Sequence, residues 1–257
     1  MDRALLSHLA HADHPVAAPV DVARAAALLA RLPIPRGGRV LDMGCGQGEW
    51  LLTLLADRAD LTGIGVDTSE VALAAAQAAT DRRGLTGRVT WEQADAANWT
   101  GPGAFDAVLC IGASHALGGL PQTLQAMRRH GRPGGYGLLG DGFWEVPPSV
   151  ATQEALQTTQ EDRPDLAGVV ERVTAQGWQP IAGHTSSAEE WDDYEWAWTG
   201  SLTDWGLQQT QAGENEADAA QALAVAAEHR TAWLRGYRHE MGFVTLVLAD
   251  AQPRSGH

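Results

Sequence analysis

A glycine-rich segment near residue 45 constrains the fold of this chain more than any other stretch. It begins after the apolar pair Val40–Leu41 and contains Asp42 and three alternating glycines: Gly44, Gly46 and Gly48. An apolar run over residues 50–55 follows, and the order strand, glycine turn, helix opens a nucleotide-binding βαβ unit. Glycine lets the backbone turn sharply and lets a flat ligand approach the main chain, because no Cβ stands in the way. We therefore expect an α/β sheet that binds a nucleotide-like ligand at this turn.

The residues around the turn favour an adenosine ligand without phosphates. Asp67 ends the next apolar run, at a spacing that suits hydrogen bonds to ribose hydroxyls. Glu49 falls in the first helical turn, where a carboxylate repels an arriving phosphate, and no Lys or Arg lies between residues 40 and 56. An NAD-type oxidoreductase is the less favoured alternative, because the third-position glycine of the dinucleotide pattern is missing.

The spacing Asp-x-Gly-x-Gly-x-Gly from Asp42 to Gly48 resembles the first motif of the class I S-adenosylmethionine-dependent methyltransferases. The resemblance extends over residues 36–142 and, less fully, over 242–249. It implies a Rossmann-like, doubly wound α/β fold with a seven-stranded sheet whose last strand is antiparallel. It also implies S-adenosyl-L-methionine as cofactor and S-adenosyl-L-homocysteine as product. The implied cofactor-binding residues follow the first four strands: Asp42, Gly44, Cys45, Gly46, Asp67, Thr68, Asp95, Ala96, Cys110, Ile111 and Gly112. Of these, Asp95 is expected to receive the adenine amino group.

The chain divides into four predicted parts. They are an N-terminal helical cap segment (1–35), a cofactor-binding core (36–184), a Trp-rich helical lid insertion (185–240), and the last core strand with a tail (241–257). We expect residues 1–19 to be irregular and Asp21 to cap a helix over 22–32. Near-helical spacing of apolar residues from Leu223 to Met241 predicts one long amphipathic helix in the second half of the insertion.

Hydrophobic periodicity and turn residues place the remaining elements of the core. Strands are predicted at about 39–43, 62–66, 89–92, 105–111, 134–140, 178–182 and 242–249. Helices are predicted at about 48–57, 68–79, 120–130, 150–160 and 164–176.

The fourth strand, Phe105–Ile111, ends in Gly112-Ala-Ser-His115. Ligands of open α/β sheets lie beyond the carboxyl ends of the strands, so these residues are expected at the mouth of the site. His115 is the predicted general base, because histidine changes charge near neutral pH, and Glu145, His14 and His11 are the runners-up. A base is needed only where the acceptor must lose a proton. The predicted contacts to the acceptor are His11, His14, Ser114, His115, Trp144, Trp191 and Trp196.

Charge and composition limit the classes of partner that we expect this protein to bind. The net charge is −14 at pH 7, which disfavours nucleic acid and anionic membranes. The two cysteines, Cys45 and Cys110, have neither metal-binding nor disulfide spacing, so we predict no metal site. The chain shows neither a leader pattern near its start nor an apolar run of about 18 residues, so we expect a cytoplasmic protein without a membrane span. The expected partner is a small-molecule methyl acceptor, and the expected state is a monomer or a homodimer.

The absence of one family motif limits the class of methyl acceptor that we expect. Members that methylate nucleic acids or amide nitrogens carry an Asn-Pro-Pro-Tyr signature after the fourth strand, where this chain has Gly112-Ala-Ser-His115. This difference argues against DNA or glutamine as acceptor. A non-catalytic module that binds S-adenosylmethionine without turnover remains an open alternative.

Overall fold

The computed structural model describes residues 1–251, and within them seven strands form one sheet. The strands are β1 (Arg39–Met43), β2 (Thr62–Asp67), β3 (Val89–Gln93), β4 (Phe105–Ile111), β5 (Gly131–Trp144), β6 (Trp178–Thr185) and β7 (Met241–Asp250). Their order is β3-β2-β1-β4-β5-β7-β6, with parallel pairing from β3 to β5 and antiparallel pairing of β7 with both neighbours. The predicted Rossmann-like fold with an antiparallel last strand is confirmed.

Helices cover both faces of the sheet, as a mostly parallel sheet requires. Within the described residues they are α1 (Arg3–Ala10), α2 (Val22–Leu29), α3 (Glu49–Asp57), α4 (Glu70–Arg82), α5 (Leu120–His130), α6 (Val150–Leu156), α7 (Leu166–Ala175), α8 (Ala188–Ala212) and α9 (Glu216–Ala232). Apolar side chains of α2 and α3 pack in one core cluster, and those of α5 and α7 pack in another. Strand β4 is buried along most of its length between them.

The strand order reverses beside β1, because the chain moves outward to β2 and β3 and then returns to β4. A crevice opens at such a point beyond the carboxyl ends of the two adjacent strands. The glycine turn follows β1 and the segment 112–115 follows β4, so the fold brings both to this crevice.

The prediction that residues 1–19 are irregular is wrong, since α1 occupies Arg3–Ala10. Its N-cap is Asp2, whose side chain accepts a hydrogen bond of 2.7 Å from the backbone N–H of Leu5. Ala10 is buried in a cluster with Leu202 of α8, so a tertiary contact stabilises a helix too short to be stable alone. The predicted cap at Asp21 is confirmed, although the helix ends at Leu29.

The predicted helical character of the insertion is confirmed, but its second half is not one helix. Helix α9 ends at Ala232, a π-helical turn covers Trp233–Tyr237, and Met241 is already the first residue of β7. The apolar spacing that predicted a helix as far as Met241 therefore continues across the start of a strand. Pairing of Met241 with Trp144 of β5 decides this boundary.

Other boundaries differ where tertiary pairing extends or shortens an element. Strand β5 is longer than predicted because it pairs with β7 from Tyr136 to Trp144. Helix α6 ends early, at Leu156, because Gln157 adopts a left-handed backbone conformation with φ of 49°.

Candidate functional site

The glycine turn is a backbone-built surface that leaves no room for a side chain at two of its three glycines. Gly44, Gly46 and Gly48 all have positive φ, at 70°, 51° and 77°, which favours glycine. A Cβ on Gly44 would collide with the Cβ of Ala113, and a Cβ on Gly48 would collide with the Trp91 ring. A Cβ on Gly46 would meet nothing within 4 Å, so this glycine faces open space.

Asp67, at the end of β2, is fixed by the turn itself. Its Oδ2 accepts a hydrogen bond of 2.8 Å from the backbone N–H of Gly46, and its Oδ1 accepts one of 2.9 Å from that of Ser69. Each carboxylate oxygen can accept a second hydrogen bond, so the group can still receive ribose hydroxyls. The predicted ribose contact therefore has a defined position.

Asp42, at the carboxyl-terminal half of β1, is a buried carboxyl group with an incomplete set of partners. The side chain is 2% exposed, and its Oδ2 atom has no hydrogen-bond partner. Burial, and after it the charge of Asp67, raises the pKa of this carboxyl to about 8. A cationic group of a bound ligand would stabilise the ionised form, so the site fits a ligand with an amino group near β1.

Glu49 does not act as the sequence argument assumed. Its Oε2 forms an ion pair of 2.6 Å with Arg83, the residue that caps the end of α4, and its Oε1 accepts a hydrogen bond of 3.0 Å from Thr53. Because the carboxylate is directed to these partners, its repulsion of a phosphate at the start of α3 is weaker than predicted. The case against a dinucleotide then depends more on the glycine spacing.

The expected adenine side lies after β3. Asp95 is exposed, and its two oxygens accept hydrogen bonds from the Ala97 backbone (3.0 Å) and the Asn98 side chain (2.6 Å). Ala96 is buried and Thr68 is exposed. Trp91 of β3, which the sequence reasoning did not select, packs its ring against Gly48 and Gly65.

Both cysteines near the turn are free and buried. Burial raises the pKa of the Cys45 thiol and of the Cys110 thiol above its ordinary value. They therefore serve as small packing groups and not as nucleophiles.

A cavity of about 180 Å³ lies beyond the carboxyl ends of β4 and β5. Ser114 and His115 line it, as predicted, together with Asp141 and Arg163, which the sequence reasoning did not select. The Ser114 hydroxyl donates a hydrogen bond of 2.7 Å to Asp141 Oδ1, and the Gly142 N–H donates one of 2.9 Å to the same oxygen. Burial raises the pKa of the Asp141 carboxyl, against these hydrogen bonds. The only sequence signal for Asp141 was its place in the strand that follows the fourth one.

The two N-terminal histidines contact Tyr194 of α8, which also lines this cavity. His11 Nδ1 donates to the Ser7 carbonyl at 2.7 Å, so His11 Nε2 accepts from the Tyr194 hydroxyl at 3.1 Å. The His14 ring packs edge-on against Tyr194, with centroids 5.5 Å apart. Burial lowers the pKa of both histidines, so both are neutral near pH 7.

A second cavity, of about 320 Å³, lies on the other side of Trp191 and Met241, which line both cavities. The predicted runner-up base Glu145 lines this larger cavity, away from His115. The indole nitrogen of Trp191 is buried without a hydrogen-bond partner.

Four predicted acceptor contacts line neither cavity: His11, His14, Trp144 and Trp196. The two histidines only pack against Tyr194, which does line the smaller one. Trp196 is 52% exposed and packs edge-on against Trp233, with centroids 5.1 Å apart, so the structure does not bring it to the site. Its helical position turns it to the outer face of α8. Trp144 is 3% exposed and lies beneath Arg163, whose Cζ is 5.8 Å from the ring centroid.

The described residues contain neither a metal-binding cluster nor a membrane-spanning helix. Among residues 1–251, no group of three or more His, Cys, Asp or Glu side chains could hold a metal ion. In the same range, no helix combines the length and apolar character that crossing a bilayer requires.

Comparison with known proteins agrees with this geometry. A family model described as a methyltransferase domain matches residues 40–135. The uncharacterized protein YjhP of Escherichia coli is 29% identical over 199 residues, covering 76% of this chain and 79% of YjhP. The 27-O-demethylrifamycin SV methyltransferase of Amycolatopsis mediterranei is 30% identical, covering 65% of this chain and 61% of that enzyme.

Solved structures extend the similarity to nearly the whole chain. The SAM-dependent methyltransferase from Thiobacillus denitrificans, solved in complex with S-adenosyl-L-homocysteine, superposes with a TM-score of 0.84 and 26% identity, covering 96% of this chain and 98% of that one. The structure of YjhP superposes with a TM-score of 0.85 and 25% identity, covering 95% of this chain and 98% of YjhP. With the reversed strand order, the glycine turn and Asp67 in place, residues 40–135 form a methyltransferase domain, and the sheet has the fold of the class I S-adenosylmethionine-dependent methyltransferases.

Proposed function

We propose that this protein transfers a methyl group from S-adenosyl-L-methionine to a small-molecule acceptor. The observation that supports this most is the pairing of two features at one crevice. One is the backbone-built turn with the unpartnered Asp42 oxygen, and the other is the cavity beyond β4 and β5. The relative from Amycolatopsis, named for a small-molecule substrate, supports a small acceptor here too.

The residues fit the cofactor group by group. Asp42 supplies a buried carboxylate for the amino group of its methionine part, and Gly46 leaves open space above the turn. Asp67, which the Gly46 N–H holds in place, would take the ribose hydroxyls, and Asp95 and Ala96 would contact the adenine. When bound, the cofactor supplies a methyl group on a sulfonium that is already activated as a leaving group. The chain's own contribution is then to orient the acceptor and exclude water.

His115 remains the proposed general base for an acceptor that must lose a proton. It lines the smaller cavity beside Ser114 and Asp141, whereas Glu145 lies at the larger one. His14 is a weaker candidate than His115, because its ring packs against Tyr194. The cytoplasmic location, the absence of nucleic-acid and membrane partners, and the monomeric or dimeric state remain predictions from the sequence.

Ligand binding tests the proposal and separates it from the alternatives. Thermal unfolding is measured with S-adenosyl-L-homocysteine and with NAD, since a ligand at 100 times its Kd raises stability by about 2.7 kcal/mol. We expect a higher Tm with S-adenosyl-L-homocysteine only. Transfer of label from methyl-labelled cofactor to a metabolite extract then distinguishes an enzyme from a non-catalytic module. Stabilisation by NAD alone would contradict the proposal.

The role of His115 has its own test. Single-turnover methylation by His115→Ala, once an acceptor is known, should fall by about 100-fold or more if this side chain removes a proton. The affinity for S-adenosyl-L-homocysteine should stay unchanged, because His115 belongs to the acceptor cavity. A rate equal to that of the unmodified protein between about pH 6 and about pH 9 removes His115 from the chemistry.

A further inference from the structure

Arg163 is a half-buried arginine in the smaller cavity, and it has no acidic partner in the part of the chain that the structure describes. Within residues 1–251, no carboxylate oxygen lies within 4.0 Å of its guanidinium nitrogens. Its hydrogen bond to Thr158 Oγ1 is long, at 3.4 Å, and on one side it faces the Trp144 ring. A guanidinium carries five N–H donors, so most of them remain available to a ligand.

The nearest carboxylates are held by other groups. Asp162 Oδ2 accepts hydrogen bonds from the Thr159 backbone at 2.6 Å and from the hydroxyls of Thr158 and Thr159. Asp141 Oδ1 accepts from the Ser114 hydroxyl and the Gly142 backbone. Neither acid therefore forms an ion pair with Arg163, although both lie close enough to attract it.

Two aromatic residues of the cavity wall, Trp191 and Tyr194, also carry a polar hydrogen. Trp191 lines both cavities, and its indole N–H is buried without a partner among the described residues, so this donor lacks an acceptor that a ligand could supply. The Tyr194 hydroxyl proton is already donated to His11 Nε2, so Tyr194 contributes mainly its ring. A volume of about 180 Å³ accommodates only a small group beside these rings.

We propose that the methyl acceptor carries a carboxylate and that Arg163 binds this carboxylate in the smaller cavity. The inference rests on the proposed function, since it identifies the chemical class of the acceptor. Arg163 is the one guanidinium among the described residues that line this cavity, and Asp141 lines it too. Burial raises the pKa of the Asp141 carboxyl and so favours its neutral form, which leaves Arg163 to match one negative charge of a ligand but not the two charges of a phosphate monoester. Paired hydrogen bonds from one guanidinium also suit the planar shape of a carboxylate.

The test is calorimetric titration of the full chain, first with S-adenosyl-L-homocysteine and then with three acids beside their amides. The pairs are benzoate and benzamide, 3-phenylpropionate and 3-phenylpropionamide, and glutarate and glutaramide. We expect at least one acid to bind tenfold or more tightly than its amide, which corresponds to about 1.4 kcal/mol. Binding of no acid, or equal binding of every acid and amide, overturns the inference.

Variants assign the preference to Arg163. Arg163→Gln should abolish the acid-over-amide ratio, and Arg163→Lys should keep part of it, because it retains charge but not the paired donors. Arg172→Gln, at an exposed position on α7, is the matched control and should keep the full ratio. An acid preference that survives in Arg163→Gln overturns the inference. So does a lower Tm of that variant with an unchanged ratio, since this shows a structural role only.

The same samples separate this inference from the proposed function. Uptake of S-adenosyl-L-homocysteine without an acid preference contradicts the carboxylate assignment and leaves the methyltransferase proposal standing. Absence of that uptake contradicts the methyltransferase proposal, and the acids and amides are then titrated into the protein alone to decide whether Arg163 binds a carboxylate.

Discussion

The crevice has a cofactor edge and an acceptor edge, and different parts of the chain form their surfaces. At the cofactor edge, the backbone forms the surface, and Gly44 and Gly48 have neighbours so close that no side chain fits. At the acceptor edge, side chains from the N-terminal segment, β5, α8 and the residues before α7 surround two cavities. The first edge leaves few ways to change its shape, and the second contains spare volume and unpartnered polar groups such as the Trp191 indole.

This difference indicates how binding can vary while the fold is kept. A change at the cofactor edge disturbs the backbone that also ends β1, so stability and cofactor affinity should fall together. A change at the acceptor edge alters one wall of a cavity, so acceptor affinity should change with little cost in stability.

The largest expected effect is that of Gly44→Ala. The new Cβ is strained by the positive φ and collides with Ala113, so we expect a loss of about 3 kcal/mol in the free energy of unfolding and no detectable binding of S-adenosyl-L-homocysteine. Urea denaturation and calorimetry measure the two quantities.

Two glycine controls separate strain from collision. Gly46→Ala, with open space around its Cβ, should cost only about 1 kcal/mol yet still weaken cofactor binding at least tenfold. Gly213→Ala, at the end of α8 with φ of 69°, should cost about the same without changing cofactor binding. Equal stability losses in all three variants would contradict the close packing of Gly44.

The next effect concerns the buried charge of Asp42. Its pKa is about 8 in the folded protein, whereas an aspartate in an unfolded chain ionises near pH 4. Because the folded state retains the proton, this group makes the free energy of unfolding fall as pH rises from about 4 to about 8. In Asp42→Asn we expect the free energy of unfolding to fall less steeply with pH. At pH 8 the variant should be more stable than the unmodified protein by about 1 to 3 kcal/mol.

Urea denaturation at about pH 5 and about pH 8, without cofactor, measures this slope. Asp141→Asn is the matched variant at the acceptor edge. Burial also raises the pKa of Asp141, but hydrogen bonds from Ser114 and Gly142 oppose the shift, so we expect a smaller change in slope. A larger change in slope for Asp141→Asn would reverse the comparison between the two edges.

The smallest expected effect on stability is that of Trp191→Phe. This change removes a buried N–H that has no partner and keeps most of the ring, so the free energy of unfolding should change by less than about 1 kcal/mol. Acid affinity should fall about threefold to tenfold, while affinity for S-adenosyl-L-homocysteine stays constant.

Trp178→Phe is the control for loss of a buried indole. The Trp178 Nε1 donates a hydrogen bond of 3.3 Å to the Leu124 carbonyl, so its removal should cost about 1 to 2 kcal/mol without changing acid affinity. If Trp191→Phe lowers the free energy of unfolding as much as Trp178→Phe does, the Trp191 indole stabilises the folded state and is not kept for a ligand.

The sequence predicted the glycine turn and its place after the first strand, because both depend on local spacing. Positive φ values at Gly44, Gly46 and Gly48 and the carboxylate of Asp67 lie within one βαβ unit, where residue order determines neighbours. Glu49 shows the limit of such reasoning even there. Its partner, Arg83, lies 34 residues away at the end of another helix, and that contact weakens the repulsion of a phosphate by Glu49.

The acceptor edge could be predicted only in part. Ser114, His115 and Trp191 were selected from their positions and do line the smaller cavity, whereas Arg163 and Asp141 carried no motif. Trp196 was selected as an aromatic residue of the insertion, but the turn of α8 places it outside. The sequence gives the type of each of these residues, but it does not give the direction in which each side chain points.

The sequence by itself determined the parallel sheet, the glycine turn and the carboxylates that flank it, because short-range periodicity and backbone sterics act between near neighbours. Tertiary structure alone decided that Arg163 lacks an acidic partner, that Trp191 separates two cavities, and that residues 3–10 form a helix against α8. Each of these depends on contacts between residues far apart in the chain, whose distances no local pattern specifies.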